Sequence, residues 1–457
     1  MKRCAAFAAA ARRDAATLVV AAIVALAAVP VAAAAAAAYP PPPASCEGRV
    51  NAQPLVPFAS AGALANTTRN GKKFVVAAGG AGNLSAPLAV LHLYGSTYEA
   101  NLAYGQLMRT EVAALAPRAL AYIYAAVNAS TDLSWLTPAV REAVLEFGVD
   151  AALDLTWNAT QPFTPAHWAD ALQGLADGSG VDASSLRRVA MIAEWTRASC
   201  SMLGAWGKAS ASGSLAQLRA LDWDTDGPFQ EFPMLAVFHP NAGEGFAYAT
   251  LGWAGMLGSI TGVSSSGLAL SEKVWDAYKG THAIMGYAWN FLFQDVLQYD
   301  MDTDAALSRM ATANRTCAVW LGVGDAHGNG GGGSFKAVQY SHQTVNFFND
   351  RNFPAYPPAH DLFESLVFIN KHVQPSSEPC MNDLMHAAYG ALSARAAAQY
   401  VAALEQTGDM HIAAVDFTGD GELLVSNASP GGGTSAYDAP FVVFSLAALW
   451  AEAPPPS

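Results

Sequence analysis

Apolar positions along this chain follow two different periods. KKFVVAA (72–78) and PLAVLHLY (87–94) are short apolar blocks separated by Gly and Asn, which predicts a strand pair. After Gly95-Ser96-Thr97 the spacing lengthens. In EANLAYGQLMRTEVAALA, Leu102, Leu107, Val112 and Leu115 recur near the helical interval. Thr137-Pro138 and Thr164-Pro165 read as two further helix starts, Thr capping free N–H groups and Pro occupying the first helical position. Gly178 is expected to end the second of these helices. A third, Ser184 to Trp195, puts Leu186, Val189, Ala190 and Ala193 on one face. It leads into a short linker, Thr196-Arg197-Ala198-Ser199.

From Cys200 the pattern turns strand-like. CSMLGAW and LAQLRALDW flank a small-residue turn at 207–214 and predict a hairpin headed by the cysteine. Further strands are expected in 245–253, 257–271, 317–324, 335–341, 343–349, 411–417, 422–427 and the run from 440. Helices are expected at 283–299, 302–314 and 383–405. Strands, then helices, then strands point to an α+β layered fold with helices packed on antiparallel sheets.

Composition narrows the setting. Charged residues make up 13% of the 457 residues, about half the usual ~25%. The net charge of −13 disfavours a nucleic-acid partner, which would need a basic stripe. Lys2, Arg3, Arg12 and Arg13 precede an uncharged run from Ala15 to Ala38, read as a signal peptide (1–38), with an uncleaved anchor as the rival. No later stretch is expected to span a membrane. Sequons at Asn66, Asn83, Asn128, Asn158, Asn314 and Asn427 agree with a secreted or lysosomal glycoprotein. The rest divides into a segment 39–199, a core 200–450 and a disordered tail 451–457.

Four cysteines remain once Cys4 leaves with the signal: Cys46, Cys200, Cys317 and Cys380. Two disulfides are the plain reading. If Cys200 stays a thiol, Cys317–Cys380 is the preferred bridge. Cys200 could be a nucleophile released by a cut between Ser199 and Cys200. An N-terminal cysteine carries its own base, because the α-amine has a reference pKa of about 7.7–8.0. Arg219 would hold an oxygen or favour the thiolate, and Asp222 would orient the amine. Their opposite parity requires the strand to end or bend near Asp222. Against this stand a structural thiol and an ordinary Arg219–Asp222 ion pair. No metal or cofactor is implied: the His-Glu-x-x-His and Gly-x-Ser-x-Gly motifs are missing, the Gly-rich run 322–334 lacks a phosphate-loop ending, and the turn at Asp416–Gly421 lacks the acidic twelfth calcium ligand.

Cys200-Ser201 followed by Arg219-x-x-Asp222-Trp223 resembles the N-terminal-nucleophile cysteine amidohydrolases, among them acid ceramidase, N-acylethanolamine acid amidase and isopenicillin-N acyltransferase. The likeness is nearest to secreted acid-ceramidase-like proteins. It extends to Gly95–Glu99, Gly258–Gly262, Ser271–Trp275, HIAAVDFTGDGELLVSNAS and AYDAPFVVF, over roughly residues 90–450. It implies an αββα sandwich, self-cleavage into two fragments of one precursor, and a linear amide substrate such as an N-acyl lipid, with transient contact at a membrane surface. Acyl transfer, phospholipase B-like hydrolysis and a silent binding glycoprotein are the alternatives. The family's Arg-Asn-x-Asp reads Arg219-Ala220-Leu221-Asp222 here. A later Asn serves the oxyanion in that family, and position selects Asn352, with Asn427 as the rival.

Overall fold

The computed structural model describes residues 39–78, 84, 86–130, 133, 136, 138–195, 198–281 and 283–456. The leader 1–38, Asn83, Thr137 and the linker residues Thr196 and Arg197 lie outside the described residues. Residues from Pro40 onward form one compact unit.

The chain begins with β1 (Leu55–Pro57), β2 (Gly62–Thr68), β3 (Gly71–Val76) and β4 (Leu88–Gly95). The expected pair 72–78 and 87–94 is present as β3 antiparallel to β4. Helices follow: α1 (Thr97–Leu107), α2 (Arg109–Ala129), α3 (Pro138–Phe147), α4 (Val149–Thr160), α5 (His167–Ser179) and α6 (Ala183–Trp195). Ser96 and Glu99 close a reciprocal capping box on α1. α2 is long and apolar enough to cross a membrane by length and composition, contrary to the expectation above. Its Val112, Leu115, Ala119 and Ile123 are instead packed in the core. Thr164 does not cap α5; its hydroxyl donates to the Thr160 carbonyl. That helix runs through Gly178 and stops at left-handed Gly180. Gly178 is needed inside it, because a Cβ there would lie 2.3 Å from the Leu102 carbonyl oxygen of α1.

After α6 come β5 (Ser199–Ala205), β6 (Ala216–Asp222), β7 (Pro233–Pro240), β8 (Tyr248–Trp253), β9 (Gly262–Ser264), β10 (Leu268–Val274), α7 (Trp289–Tyr299) and α8 (Thr303–Thr312). The rest is β11 (Val319–Asp325), β12 (Ser334–Tyr340), β13 (Val345–Phe348), β14 (Leu366–Ile369), α9 (Cys380–Ala388), α10 (Ala396–Ala402), β15 (His411–Asp416), β16 (Glu422–Asn427), β17 (Phe441–Ser445) and α11 (Leu446–Ala451). The single helix expected over 383–405 is broken after Ala388. Gly390 adopts φ +81°, and its N–H bonds the Ala209 carbonyl.

One sheet has seven strands in the order β1-β17-β16-β15-β6-β5-β14; the other has ten, β13-β12-β11-β10-β9-β8-β7-β4-β3-β2. Neighbours are antiparallel except β1 with β17 and β4 with β7. Val90, Leu235 and Leu251 of the larger sheet meet Val415, Val425 and Val442 of the smaller one in a shared apolar layer. Helices α1–α7 cover the outer face of the larger sheet around Leu91, Leu93 and Ala236. α10 packs on β6 and β15 of the smaller one. The result is an αββα sandwich.

The bridge expected between Cys317 and Cys380 is not formed. Cys380 pairs with Cys46 across 334 residues, and Cys317 is a free thiol. The tail expected to be disordered is held at its start. Glu452 is 2.6 Å from Lys72, and the Tyr94 hydroxyl donates to the Glu452 and Ala453 carbonyls. Asn66, Asn128, Asn158 and Asn314 are exposed and Asn427 is half-buried.

Replacing Cys46 and Cys380 together by Ser is expected to lower stability by about 2–5 kcal/mol, because the bridge constrains so long a loop in the unfolded chain. Urea denaturation of wild type and the double variant measures it; matching midpoints would contradict a stabilising bridge.

Candidate active site

The hairpin β5–β6 is regular through Asp222, with Ser199 opposite Asp222, Cys200 opposite Leu221 and Met202 opposite Arg219. Facing residues in register project to the same side. Cys200 and Arg219 therefore share one face, and Asp222 points to the other. The strand does not bend to bring all three together.

On the first face Arg219 is almost fully buried and serves three partners. Its Nη2 lies 3.6 Å from Cys200 Sγ and 3.2 Å from Glu272 Oε2. Its Nη1 lies 2.8 Å from His411 Nε2. Arginine only donates, so that imidazole nitrogen accepts and His411 is neutral. Burial and the neighbouring guanidinium push its pKa well down, in agreement. Burial raises Glu272 to about 7 against the opposing pull of Arg219. Burial likewise raises the Cys200 thiol to about 12, although Arg219 opposes it. In the unbroken chain the sulfur is thus a protonated thiol.

On the second face Asp222 accepts from Thr407 Oγ1 at 2.5 Å and from the N–H groups of Gly408 at 2.7 Å and Asp409 at 3.3 Å. Thr407 is also 2.7 Å from Ser201 Oγ, which makes a hydroxyl–hydroxyl–carboxylate chain. Burial raises Asp222 despite these donors. Glu405 lies just ahead of this loop. Its oxygens are buried without a hydrogen bond, and His372 is 3.9 Å away. Burial, opposed by Lys371 and helped by Asp222, raises its pKa to about 7.

Asn352 takes no part. It is exposed in the turn after β13, where its Oδ1 accepts from Asn349 N and its Nδ2 donates to the Phe347 carbonyl. Asn427 pairs with His411 in β16–β15. An amide that pattern reading did not weigh, Asn370, lies just past β14, level with Ser201 and one residue along from Cys200. β14 pairs with β5, and Ile369 opposite Met202 puts Asn370 next along the flank of Ser201 and Cys200. Asn370 is buried, with Nδ2 3.2 Å from Ser376 Oγ and Oδ1 2.6 Å from Gln374 Nε2. Lys273 is buried as well, and its Nζ donates to the Lys371 carbonyl at 2.8 Å. The apolar LVFI just ahead of Asn370 was the available sequence signal.

Beside these groups opens an apolar cavity. Ala198, Arg219, Leu221 and Glu272 line it near Cys200; α6 contributes Val189, Ile192, Glu194 and Trp195; Trp223, Phe229, Trp253, Met256, Trp289, Asn290 and Cys317 complete much of the wall. Cys200 itself is fully buried. Asn290 Oδ1 is buried with no hydrogen-bond partner among the described residues.

The site thus sits in an αββα sandwich, with Cys200 near the head of an interior strand. No family model matches the chain. It is 36% identical over 380 residues to protein dcd1A of Dictyostelium discoideum, covering 80% of this chain and 83% of that protein. To protein dcd1B of the same organism it is 35% identical over 352 residues, 76% and 68% respectively. The chain belongs to the dcd1 protein family. Among solved structures it is similar to a Caenorhabditis elegans ortholog of N-acylethanolamine-hydrolyzing acid amidase, with TM-score 0.32 and 13% identity over 54% of this chain and 100% of that one. Penicillin V acylase from Agrobacterium tumefaciens gives TM-score 0.32 and 11% identity over 50% and 83%.

Removing the Arg219 side chain (Arg219→Ala) is expected to cost about 3–5 kcal/mol, because Glu272 would be left buried without its cation. Adding Glu272→Gln should recover part of the loss in urea denaturation. No recovery would show that the pair is not what Arg219 supports. A pH effect follows from Glu405. The folded chain holds this proton more tightly than the unfolded one, so its contribution is whole below the ordinary value of 4.5 and is lost as pH climbs through about 7. Glu405→Gln should therefore gain thermal midpoint over wild type between about pH 5 and about pH 8. A constant difference across that range would contradict the burial of this proton.

Proposed function

We propose that this chain is a self-processing cysteine amidase. The observation that carries the reading is the buried Cys200 thiol, 3.6 Å from the Arg219 guanidinium, one peptide bond from Ser199 at the head of an interior strand.

In the processing step the Cys200 sulfur attacks the Ser199 carbonyl carbon. The Ser199–Cys200 C–N bond breaks, a thioester forms, and the freed nitrogen takes the thiol proton. Water then hydrolyses the thioester, leaving a carboxylate on Ser199 and a free thiol and α-amine on Cys200. That amine is the base the intact chain lacks. In substrate turnover it takes the thiol proton, the sulfur attacks the amide carbon, and the leaving amine departs with the proton before water releases the acid. Arg219 favours the thiolate, and Asp222, opposite Ser199 in register, orients the amine. Asn370 replaces Asn352 as the amide serving the developing oxyanion.

The apolar cavity supports a linear N-acyl lipid amide, such as a ceramide or an N-acylethanolamine, as substrate. The Cys46–Cys380 bridge and the exposed sequon asparagines support a secreted or lysosomal compartment.

Wild type should run as two fragments on a reducing gel, the second beginning Cys-Ser-Met-Leu. Without reductant it should stay at full size, since Cys46 and Cys380 lie on opposite sides of the cut. Cys200→Ala should remain whole and lose turnover by several orders of magnitude. An active preparation with an unbroken chain, or turnover that survives Cys200→Ala, would overturn the proposal.

A further inference from the structure

The cavity holds one acid that the chemistry above does not use. Glu194, near the end of α6, lines the same apolar cavity as Arg219 and Glu272. Arg219 and Glu272 neutralise each other, but Glu194 has no basic side chain within ion-pair distance among the described residues. Its Oε1 accepts from the Trp289 N–H at 2.9 Å and from Thr316 Oγ1 at 3.1 Å. Those contacts explain one oxygen as a brace for the start of α7. Oε2 accepts no hydrogen bond from any described residue. Two more polar groups stand close enough to feel this carboxylate. Cys317 is a free thiol on the cavity wall, and the Tyr340 hydroxyl is buried with no hydrogen-bond partner among the described residues. Glu194 is half-buried and water reaches its free oxygen, yet an acceptor on an apolar cavity wall gains more from a ligand's donor than one in bulk water does. Glu194 shares the cavity wall with the apolar side chains of Val189, Ile192, Trp223, Phe229 and Trp253.

We infer that Glu194 is the specificity-determining residue of this cavity, and that the preferred ligand is an apolar chain carrying a hydrogen-bond donor, a hydroxyl or an ammonium, that reaches the Glu194 carboxyl. That the ligand is also an amide rests on the function proposed above; the donor requirement does not. A pocket built to pair a donor rejects the analogue lacking it more strongly than a purely apolar pocket rejects a missing methylene.

The test uses the quenching of wild-type tryptophan fluorescence, since Trp195, Trp223, Trp253 and Trp289 line the cavity. Three probes that cannot be hydrolysed are titrated: decanol, decylamine and decyl methyl ether. The alcohol and the ammonium should bind roughly tenfold more tightly than the ether. Glu194→Leu should remove both advantages. Glu194→Gln keeps an acceptor and the brace on α7, so it should keep the preference for decanol and lose that for decylamine. Equal binding of the three probes by wild type, or a preference that survives Glu194→Leu, overturns the inference. Affinities falling together in both variants would mark Glu194 as a brace alone and would overturn it too. In parallel, wild type and Glu194→Leu are assayed on an N-acylethanolamine and on the matched N-acylethylamine. A higher KM for the hydroxylated amide only supports the selector role, and equal losses on both count against it. If neither amide is hydrolysed while the probe pattern holds, the amidase reading fails and the selector stands.

Discussion

The buried guanidinium of Arg219 is the constraint on which this site depends. One planar cation faces a thiol, a carboxylate and an imidazole that come from three strands in two different sheets. Each partner is held in the form that suits the cation: His411 neutral and accepting, Glu272 close enough to share its charge. A lysine would offer a point charge where three directions are needed. Burial, not this contact, sets the state of Cys200 in the intact chain. Arg219 favours the thiolate, yet burial wins and leaves the thiol near 12. A cation alone does not activate this sulfur. On the proposed reading, the missing ingredient is a base that exists only once the Ser199–Cys200 bond has opened.

The sequence revealed the layers more readily than the site. The β5–β6 hairpin, the β3–β4 pair and helices α5 and α6 follow from local period and spacing, which nearest-neighbour residues set. β7 and β14 do not. β7 is framed by Pro233 and Pro240, and its apolar run shows no alternation because both faces are buried. β14 is four residues long. Without β14 in view, Asn370 was not weighed beside Asn352. Asn352 follows a visible strand, whereas Asn370 comes near Ser201 only because a short strand pairs with β5, and that pairing joins residues far apart in sequence. Cys46–Cys380 was illegible for the same reason: proximity across 334 residues leaves no local mark.

Parity told a truer story than the expectation built on it. Asp222 comes three positions after Arg219, so the two should face opposite sides, and in the structure they do. The strand meets that condition by staying straight and using both faces. The first carries the sulfur, Arg219, Glu272 and the cavity; the second carries Ser201, Thr407 and Asp222. Asp222 can still act at position 200, since it faces Ser199 across the hairpin and the Ser199–Cys200 peptide passes beside it. Side chains on one face can thus serve the sulfur while those on the other serve the backbone nitrogen.

The same topology decides what a cut at this junction could release. The residues before Cys200 supply β4, which lies inside the larger sheet between β3 and β7, and β1, which borders β17 in the smaller one. They also supply α6, a wall of the cavity. Removing them would expose the backbone edge of β7 and the apolar layer between the sheets, at a cost far above that of one hydrolysed peptide bond. The Cys46–Cys380 bridge ties the same two parts covalently. Cleavage would therefore change the chemistry at one residue while leaving both cores in place. Such a design needs the N-terminal segment folded into the sandwich before the bond breaks, and its strands are placed accordingly in the intact chain.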